Sequence, residues 1–221
     1  MPTYRQIHDR LLGHYGPQDW WPANSPFEVM VGAILTQNTA WTNVEKAIAN
    51  LRRAKVLSAK AIANLPATDL AELIRPSGYF NIKAKRLQNF CRWYLEQGGL
   101  SALKKRDTAE LRDALLSVNG VGPETADDML VYAFERPVFV IDAYTRRLFS
   151  RIGLIAGDEG YEILRHQVEQ AFARDKSRLE RFNELHALIV IHAKAHCRKQ
   201  PACVGCPLSF DCQVGRDENT A

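Results

Sequence analysis

The chain has 221 residues, of which 46% are hydrophobic and 24% are charged, and its formal net charge is +4. This composition is typical of a globular protein that buries a core in one domain or two small ones. It contains no apolar run long enough to span a membrane and no signal-peptide pattern, so we expect a cytoplasmic protein. The small positive charge permits a polyanionic partner but does not require one.

Nearly every periodic segment of the chain has helical spacing. Apolar residues form one helical face in the region before Gln37-Asn38-Thr39 and continue after it, at Phe27, Val31, Ile34, Leu35, Val44, Ile48 and Leu51. Residues 82–95, 109–118, 123–134, 161–172 and 179–195 are also predicted helices. Ser25-Pro26 and Asp107-Thr108 are predicted helix starts. The run Val138–Ile141 is the one strand-like segment, and we interpret it as a buried connection into a helix capped by Asp142. The predicted class is all-α.

A tight turn, Val118-Asn119-Gly120-Val121-Gly122-Pro123, separates two of these predicted helices. The two glycines allow the backbone to come close to another group, because no Cβ is in the way. Pro123 suits the first position of the second helix, and the amides there suit a phosphate oxygen. The same pattern also occurs in simple helix–helix connections, so both interpretations remain open at this point.

Four cysteines near the end of the chain have the spacing C-x5-C-x2-C-x5-C, at Cys197, Cys203, Cys206 and Cys212. Disulfides are not expected in a chain without a secretion signal. Four thiolates suit either zinc or a [4Fe–4S] cluster, although structural zinc more often uses two C-x2-C pairs. A fifth cysteine, Cys91, lies on a predicted helix, and we interpret it as a small buried core residue.

The hairpin, the loop containing Pro137, Asp142 and the terminal cysteines, in this order, resemble the helix–hairpin–helix DNA glycosylases of the endonuclease III superfamily. The resemblance covers nearly the whole chain. It implies two helical lobes, with the hairpin in residues 24–136 and the cysteines in a second lobe of residues 1–23 and 137–221. It also implies a monomer that binds double-stranded DNA containing a damaged base. It favours a [4Fe–4S] cluster, although the family usually has C-x6-C-x2-C-x5-C.

The resemblance implies a catalytic role for Asp142, which matches the family's catalytic aspartate. Breaking an N-glycosidic bond builds positive charge on the sugar, and a carboxylate can stabilise that charge and orient a water molecule. Asp142 can also cap the helix that follows. Bifunctional members carry a lysine in the second helix of the hairpin, where this chain has Glu124. Because a carboxylate cannot form a Schiff base, the resemblance implies a monofunctional glycosylase.

Two segments with tryptophans, Trp20-Trp21-Pro22 and Leu35-Thr36-Gln37-Asn38-Thr39-Ala40-Trp41, resemble the 3-methyladenine branch of the family. The missing lysine and the Asp142-x-Tyr144 pattern also match this branch. A target base must leave the duplex and enter a pocket, and tryptophan faces attract the cationic ring of an alkylated purine. The resemblance places Trp21 and Trp41 on either side of the base, although tryptophans are also common core residues. Glu135 departs from the family pattern, because glycine is common there. The implied substrate-binding residues are Trp20, Trp21, Pro22, Trp41, Glu124 and Tyr144.

Other residues match the family's DNA-binding positions. Gln37 would fill the space that the flipped base leaves, and Tyr79 with Phe80 would wedge the opposite strand. Lys83, Lys85 and Arg86 either bind backbone phosphate or form a solvated helix face. The implied DNA-binding residues are Gln37, Tyr79, Phe80, Lys83, Gly120, Gly122 and Thr125.

The leading hypothesis is therefore a monofunctional glycosylase that removes alkylated purines, 3-methyladenine and also 7-methylguanine. One alternative is an enzyme of the same fold that acts on oxidised, deaminated or mismatched pyrimidines. A second is a non-catalytic module that binds lesions, and a third is a redox sensor built on the cluster.

Overall fold

A computed structural model of the chain describes residues 1–18, 20 and 24–215. This part of the chain is helical and contains no β-strand, which confirms the predicted all-α class. None of its helices is long and apolar enough to cross a membrane. The helices are α1 (Tyr4–Tyr15), α2 (Pro26–Leu35), α3 (Trp41–Arg53), α4 (Ala59–Asn64), α5 (Ala67–Leu73), α6 (Phe80–Glu96), α7 (Gly99–Leu103), α8 (Thr108–Leu116), α9 (Pro123–Tyr132), α10 (Ala143–Ile152), α11 (Tyr161–Ala171) and α12 (Arg178–Ala195), with a 3₁₀ turn at Arg75–Ser77.

The chain divides into two compact units. The first comprises Met1–Trp20 and Pro137–Ala221, and the second comprises Trp21–Arg136. Helices α1 and α10 to α12 therefore belong to the first unit, and α2 to α9 belong to the second.

The second unit is built around α2 and α6. Residues 28–35 of α2 are all buried, as expected for an almost continuous apolar sequence. The helix begins where the sequence predicts, because the Ser25 hydroxyl accepts the Glu28 amide and Pro26 fills the first turn. Helix α6 packs against α2, α4 and α5, while α2 also contacts α3 and α9. Cys91 on α6 is fully buried, as predicted, and this burial raises the pKa of its thiol to about 12.

The first unit has its own apolar core, to which α1, α10, α11 and α12 contribute. Helix α1 packs on α11 and α12 and begins with a reciprocal capping box between Thr3 and Gln6. Residues 138–141 form a buried, non-helical connection that leads to Asp142 at the start of α10, as predicted. This connection places Asp142 against the core of the first unit.

Candidate active site

Asp142 is the N-cap residue of α10, and its two carboxylate oxygens have different neighbours. Oδ1 accepts the backbone N–H of Thr145 at 2.7 Å, which is an ordinary capping hydrogen bond. Oδ2 lies 3.6 Å from Nε2 of His186 on α12, and both side chains are mostly buried. The capping role is therefore real, and it occupies one oxygen while leaving the other beside a histidine.

The surroundings of Asp142 keep its carboxylate ionised. Burial raises the pKa of Asp142, but the hydrogen bond and charge of His186 and the Thr145 amide outweigh burial and leave the pKa below its usual value. A carboxylate that stays charged in a mostly buried place can stabilise a developing positive charge nearby. His186 was not among the predicted site residues, because it lies on a different helix and no local motif links it to Asp142.

Trp41 is half exposed at the first position of α3. Its indole N–H donates to Glu45 Oε1 at 3.1 Å, and its ring packs against Gly32 in the middle of α2. A Cβ at position 32 would lie only 3.2 Å from Cη2 of the indole. Glycine is unfavourable inside a helix, so its presence here is explained by the space that it leaves for the Trp41 ring.

The other predicted substrate-binding residues differ in how much the structure reveals. Trp20 is half-buried, and Glu124 is exposed at the start of α9. Tyr144 packs against the core of the first unit, with the guanidinium of Arg147 5.2 Å from its ring centroid. Trp21 and Pro22 lie outside the described residues.

The two glycines of the hairpin have different surroundings. Gly120 has a φ of +100°, and a Cβ there would lie 2.3 Å from Cγ of Arg86 on α6. Gly122 has ordinary backbone geometry, and no heavy atom lies within 4 Å of its Cβ position. Gly120 is therefore required by packing, whereas Gly122 borders open space at the beginning of α9.

Gln37 connects the turn after α2 to this hairpin. Its amide N–H groups donate to the Gly120 carbonyl at 2.9 Å and to Thr125 Oγ1 at 3.0 Å. Its amide oxygen accepts a hydrogen bond from Arg86 Nη1 at 2.5 Å. Gln37 would have to exchange these three bonds before it could enter DNA.

The buried position of Lys83 corrects one sequence-based assignment. The ammonium of Lys83 donates to Leu35 O, Thr39 Oγ1 and Ser77 O at 2.7–2.8 Å, so it does not reach a phosphate. The side chain of Thr125 is also buried and accepts the Gln37 amide, and its role in DNA binding stays a prediction. Periodicity hid the position of Lys83, because a lysine is normally placed on the solvated face of a helix.

The loop before α6 presents an aromatic side chain to solvent. Tyr79 is 68% exposed, and its backbone lies in the left-handed region, with a φ of 45°. Phe80 is half-buried, and the guanidinium of Arg75 lies 5.6 Å from its ring centroid. Of the two predicted wedge residues, Tyr79 is therefore the one that projects. Lys85, three positions beyond the exposed Ile82, is also exposed.

The four C-terminal cysteines line one small cavity after the end of α12. His192 and Arg151 line the same cavity, with Arg151 Nη1 3.3 Å from Cys197 Sγ and His192 Nε2 3.8 Å from Cys206 Sγ. No three His, Cys, Asp or Glu side chains in residues 1–18, 20 and 24–215 are arranged to hold a single metal ion. The sulfurs surround a space without converging on one point.

Comparison with known proteins identifies the family. Residues 31–174 match the HhH-GPD superfamily of base excision DNA repair proteins. The chain belongs to this superfamily. A predicted DNA repair glycosylase of Methanocaldococcus jannaschii is 48% identical over 210 residues, which cover 94% of each chain.

Two solved structures are similar to this chain. A 3-methyladenine DNA glycosylase of H. pylori, in a structure with 1,N6-ethenoadenine bound, is 30% identical, with a TM-score of 0.75 and coverage of 88% of this chain and 98% of that one. A non-covalent complex of endonuclease III with DNA has a TM-score of 0.83 over both complete chains. At 23% identity, this second likeness shows a shared fold. The HhH-GPD protein described here is a DNA N-glycosylase of base excision repair.

Proposed function

We propose that this HhH-GPD protein is a monofunctional glycosylase that removes alkylated purines, above all 3-methyladenine, from double-stranded DNA. The observation that carries the proposal is the charged, mostly buried carboxylate of Asp142, which has one oxygen fixed by the α10 amide and the other beside His186. The likeness to the H. pylori 3-methyladenine glycosylase supports the substrate class.

In the proposed reaction, Asp142 acts on the sugar and not on the base. The N-glycosidic bond breaks, its electron pair leaves with the purine, and positive charge develops on the sugar. The Asp142 carboxylate stabilises that charge and orients the water whose oxygen then bonds to the anomeric carbon, and the carboxylate accepts the proton that this water loses. A purine alkylated at N3 or N7 already carries positive charge, so the departing base becomes neutral without needing a strong general acid.

The proposal of monofunctional chemistry rests on position 124. The family's Schiff-base lysine is replaced by Glu124, which has no amine to attack the sugar. Lys194 is exposed on α12. It lies eight residues beyond His186 on the same helix, a rise of about 12 Å, so we do not expect it to replace the missing amine.

Trp41 is the proposed stacking surface for the damaged base. Its ring is supported on one side by α2 at Gly32 and is half exposed. A supported indole attracts a cationic purine more strongly than a neutral one, which favours alkylated bases over normal ones. We propose Trp21 as the second stacking residue, and Trp20, Pro22, Glu124 and Tyr144 as further substrate-binding residues.

The four cysteines are proposed to hold a [4Fe–4S] cluster. A single tetrahedral zinc ion would draw its sulfurs to about 3.8 Å from one another, whereas a four-iron cluster spaces them more widely around a larger volume. The cysteines line one shared cavity, but in the described residues no three of these side chains meet around a single ion, which favours the larger group. When bound, the cluster supplies covalent links that fix this loop to the end of α12. Iron and sulfide analysis tests this directly: Cys203→Ala should lose the cluster, whereas the control Cys91→Ala should retain about four irons per chain.

The proposed activity is tested by identifying the bases released from methylated duplex DNA. The wild-type protein should release 3-methyladenine, and Asp142→Asn, which keeps a good N-cap, should be about 10²- to 10³-fold slower at saturating enzyme. Release of only oxidised, deaminated or mismatched pyrimidines from matched substrates would assign the enzyme to the alternative class. Tight lesion binding without release of any base would favour the non-catalytic module.

A further inference from the structure

Lys83 is a buried cation whose partners are all neutral oxygens. Its side chain is only 1% exposed. Nζ donates at 2.8 Å to Leu35 O, at 2.7 Å to Thr39 Oγ1 and at 2.7 Å to Ser77 O. An ammonium has three N–H donors, so its hydrogen-bonding capacity is fully used.

The three acceptors belong to two separate segments of the chain. Leu35 is the last residue of α2, and Ser77 is the last residue of the 3₁₀ turn, so the ammonium satisfies carbonyls at two helix C-termini. A positive charge is favourable at both ends because the exposed carbonyls carry partial negative charge. The Thr39 hydroxyl also donates to Ser77 O, which links the two segments a second time.

Each segment that Lys83 holds carries an exposed residue in the left-handed backbone region. Asn38, between Leu35 and Thr39, has a φ of 54°, and Tyr79, just after Ser77, has a φ of 45°. Asparagine adopts this conformation readily, but for tyrosine it is unfavourable and persists only where the surrounding structure holds it. The exposed Tyr79 side chain is therefore presented on a rigid base.

We propose that Lys83 is a positioning residue that fixes the turn of residues 36–39 and the loop of residues 77–79 as one rigid wedge for opening the duplex. This inference rests on the proposed function. A protein that unstacks DNA must push against base pairs without yielding, and an apolar or aromatic side chain does so only if its backbone is held. Arg86, three residues further along the same helix, holds the Gln37 amide in the same turn.

The role of a wedge can be separated from general stability by changing how firmly the target base is held. An alkylated base that the wild-type protein releases is placed in two duplexes. In one it is paired with its normal partner, and in the other it stands opposite an abasic-site analogue, where no partner base retains it. Flipping is easier in the second duplex, so a weakened wedge should matter less there.

We expect Lys83→Met to excise the paired lesion about tenfold more slowly at saturating enzyme. Its rate on the unpaired lesion should stay within about twofold of the wild-type rate. Lys85→Met is the matched control, because it removes an exposed lysine from the same helix. It should weaken binding of both duplexes equally and leave the ratio of the two rates unchanged.

Tyr79→Ala provides a second variant, because it removes an exposed side chain and should leave folding intact. It should show the same selective loss on the paired lesion. Equal losses on both duplexes for Lys83→Met, or no selective loss for Tyr79→Ala, would overturn the inference. If the wild-type protein released no alkylated base from either duplex, the proposed function would fail instead, which is a different result.

Discussion

Two buried charges, one in each unit, are surrounded in opposite ways. Asp142 has one oxygen bound to a backbone amide and the other 3.6 Å from His186, whereas all three N–H donors of Lys83 are bound to oxygens. The first group retains capacity to interact with a substrate, and the second has none left. Whether a buried charge can act on a substrate or only holds the fold together therefore depends on how many of its hydrogen-bonding positions are already occupied by neighbouring groups.

Two further pairs, each of the same residue type, also differ in their surroundings. Gly122 borders open space, whereas the position of a Cβ on Gly120 is filled by Arg86. Trp41 and Trp93 are both half-buried, but the Trp41 ring packs on Gly32, whereas the Trp93 ring lies beside Phe90 on α6, with ring centroids 5.8 Å apart. These pairs allow the contrast to be tested with matched substitutions.

The largest of these effects is expected at the tryptophans. Loss of one base-stacking ring typically weakens binding by about 1–3 kcal/mol, so Trp41→Ala should reduce excision of alkylated purine about 10- to 100-fold. Trp93→Ala should change the single-turnover rate less than about threefold, because its ring supports the fold and not the base. Equal losses in excision by the two variants would refute the stacking role of Trp41.

The hairpin glycines should separate stability from DNA binding. Gly120→Ala must adopt a positive φ and meets Arg86, so we expect a loss of about 2 kcal/mol or more in unfolding free energy. Gly122→Ala has neither problem and should unfold like the wild-type protein. It should bind duplex DNA several-fold more weakly, because its methyl group enters the open space where we expect the DNA backbone to approach the hairpin. Urea melts and DNA titrations distinguish the two, and a stable Gly120→Ala would contradict the packing argument.

A smaller effect is expected when Gly32 becomes alanine. The added methyl would lie 3.2 Å from the Trp41 ring, which must shift, while alanine itself favours the helix. The cost of displacing the ring and the gain in helix preference oppose each other, so the free energy of unfolding should change by less than about 1 kcal/mol. Excision should slow several-fold, because the Trp41 ring is displaced. Unchanged excision would mean that the position of the Trp41 ring on α2 does not matter.

The smallest effects concern pH, and their signs are opposite for the two charges. The pKa of Asp142 is lowered on folding, so its ionisation contributes stability that is present above about pH 4 and is lost as the pH falls through the folded pKa. Burial, with a smaller contribution from Arg86, lowers the pKa of Lys83 from 10.5 to about 8. The folded state therefore binds fewer protons than the unfolded state between those two values.

Urea melts across pH check both signs. The stability of the wild-type protein relative to Asp142→Asn should be constant from pH 7 to about pH 5 and should shrink below about pH 4. Its stability relative to Lys83→Met should rise from about pH 8 towards pH 10, because the folded protein disfavours the ammonium. A fall in that second difference over this pH range would show that folding favours the charged form of Lys83.

The sequence predicts the helices well where apolar periodicity and caps coincide. Ser25, Asp107 and Asp142 all cap helices, as expected. Helix α1 was not predicted, although Thr3 and Gln6 form a capping box that signals its start. The short helices α4, α5 and α7 contain too few turns for a periodic signal.

The site is less predictable than the fold because it depends on contacts between distant residues. The position of Lys83 on α6 gives no sign that two helix C-termini meet its ammonium, so its assignment to DNA phosphate was wrong. His186 and Gly32 likewise acquire their importance only from Asp142 and Trp41. Glu135 is a different case, because its φ of 58° explains why glycine is common at this position in the resembling family.

In the proposed reaction, Asp142 and water break the glycosidic bond without a lysine amine. This chemistry can be tested with one single-turnover reaction on methylated duplex DNA, divided into two portions. One portion is analysed for free base and abasic sites, and the other is treated with borohydride to trap a covalent protein–DNA adduct. We expect release of alkylated purine, an equal number of uncleaved abasic sites and no adduct. A trapped adduct in proportion to the base released would instead show that a lysine amine attacks the sugar.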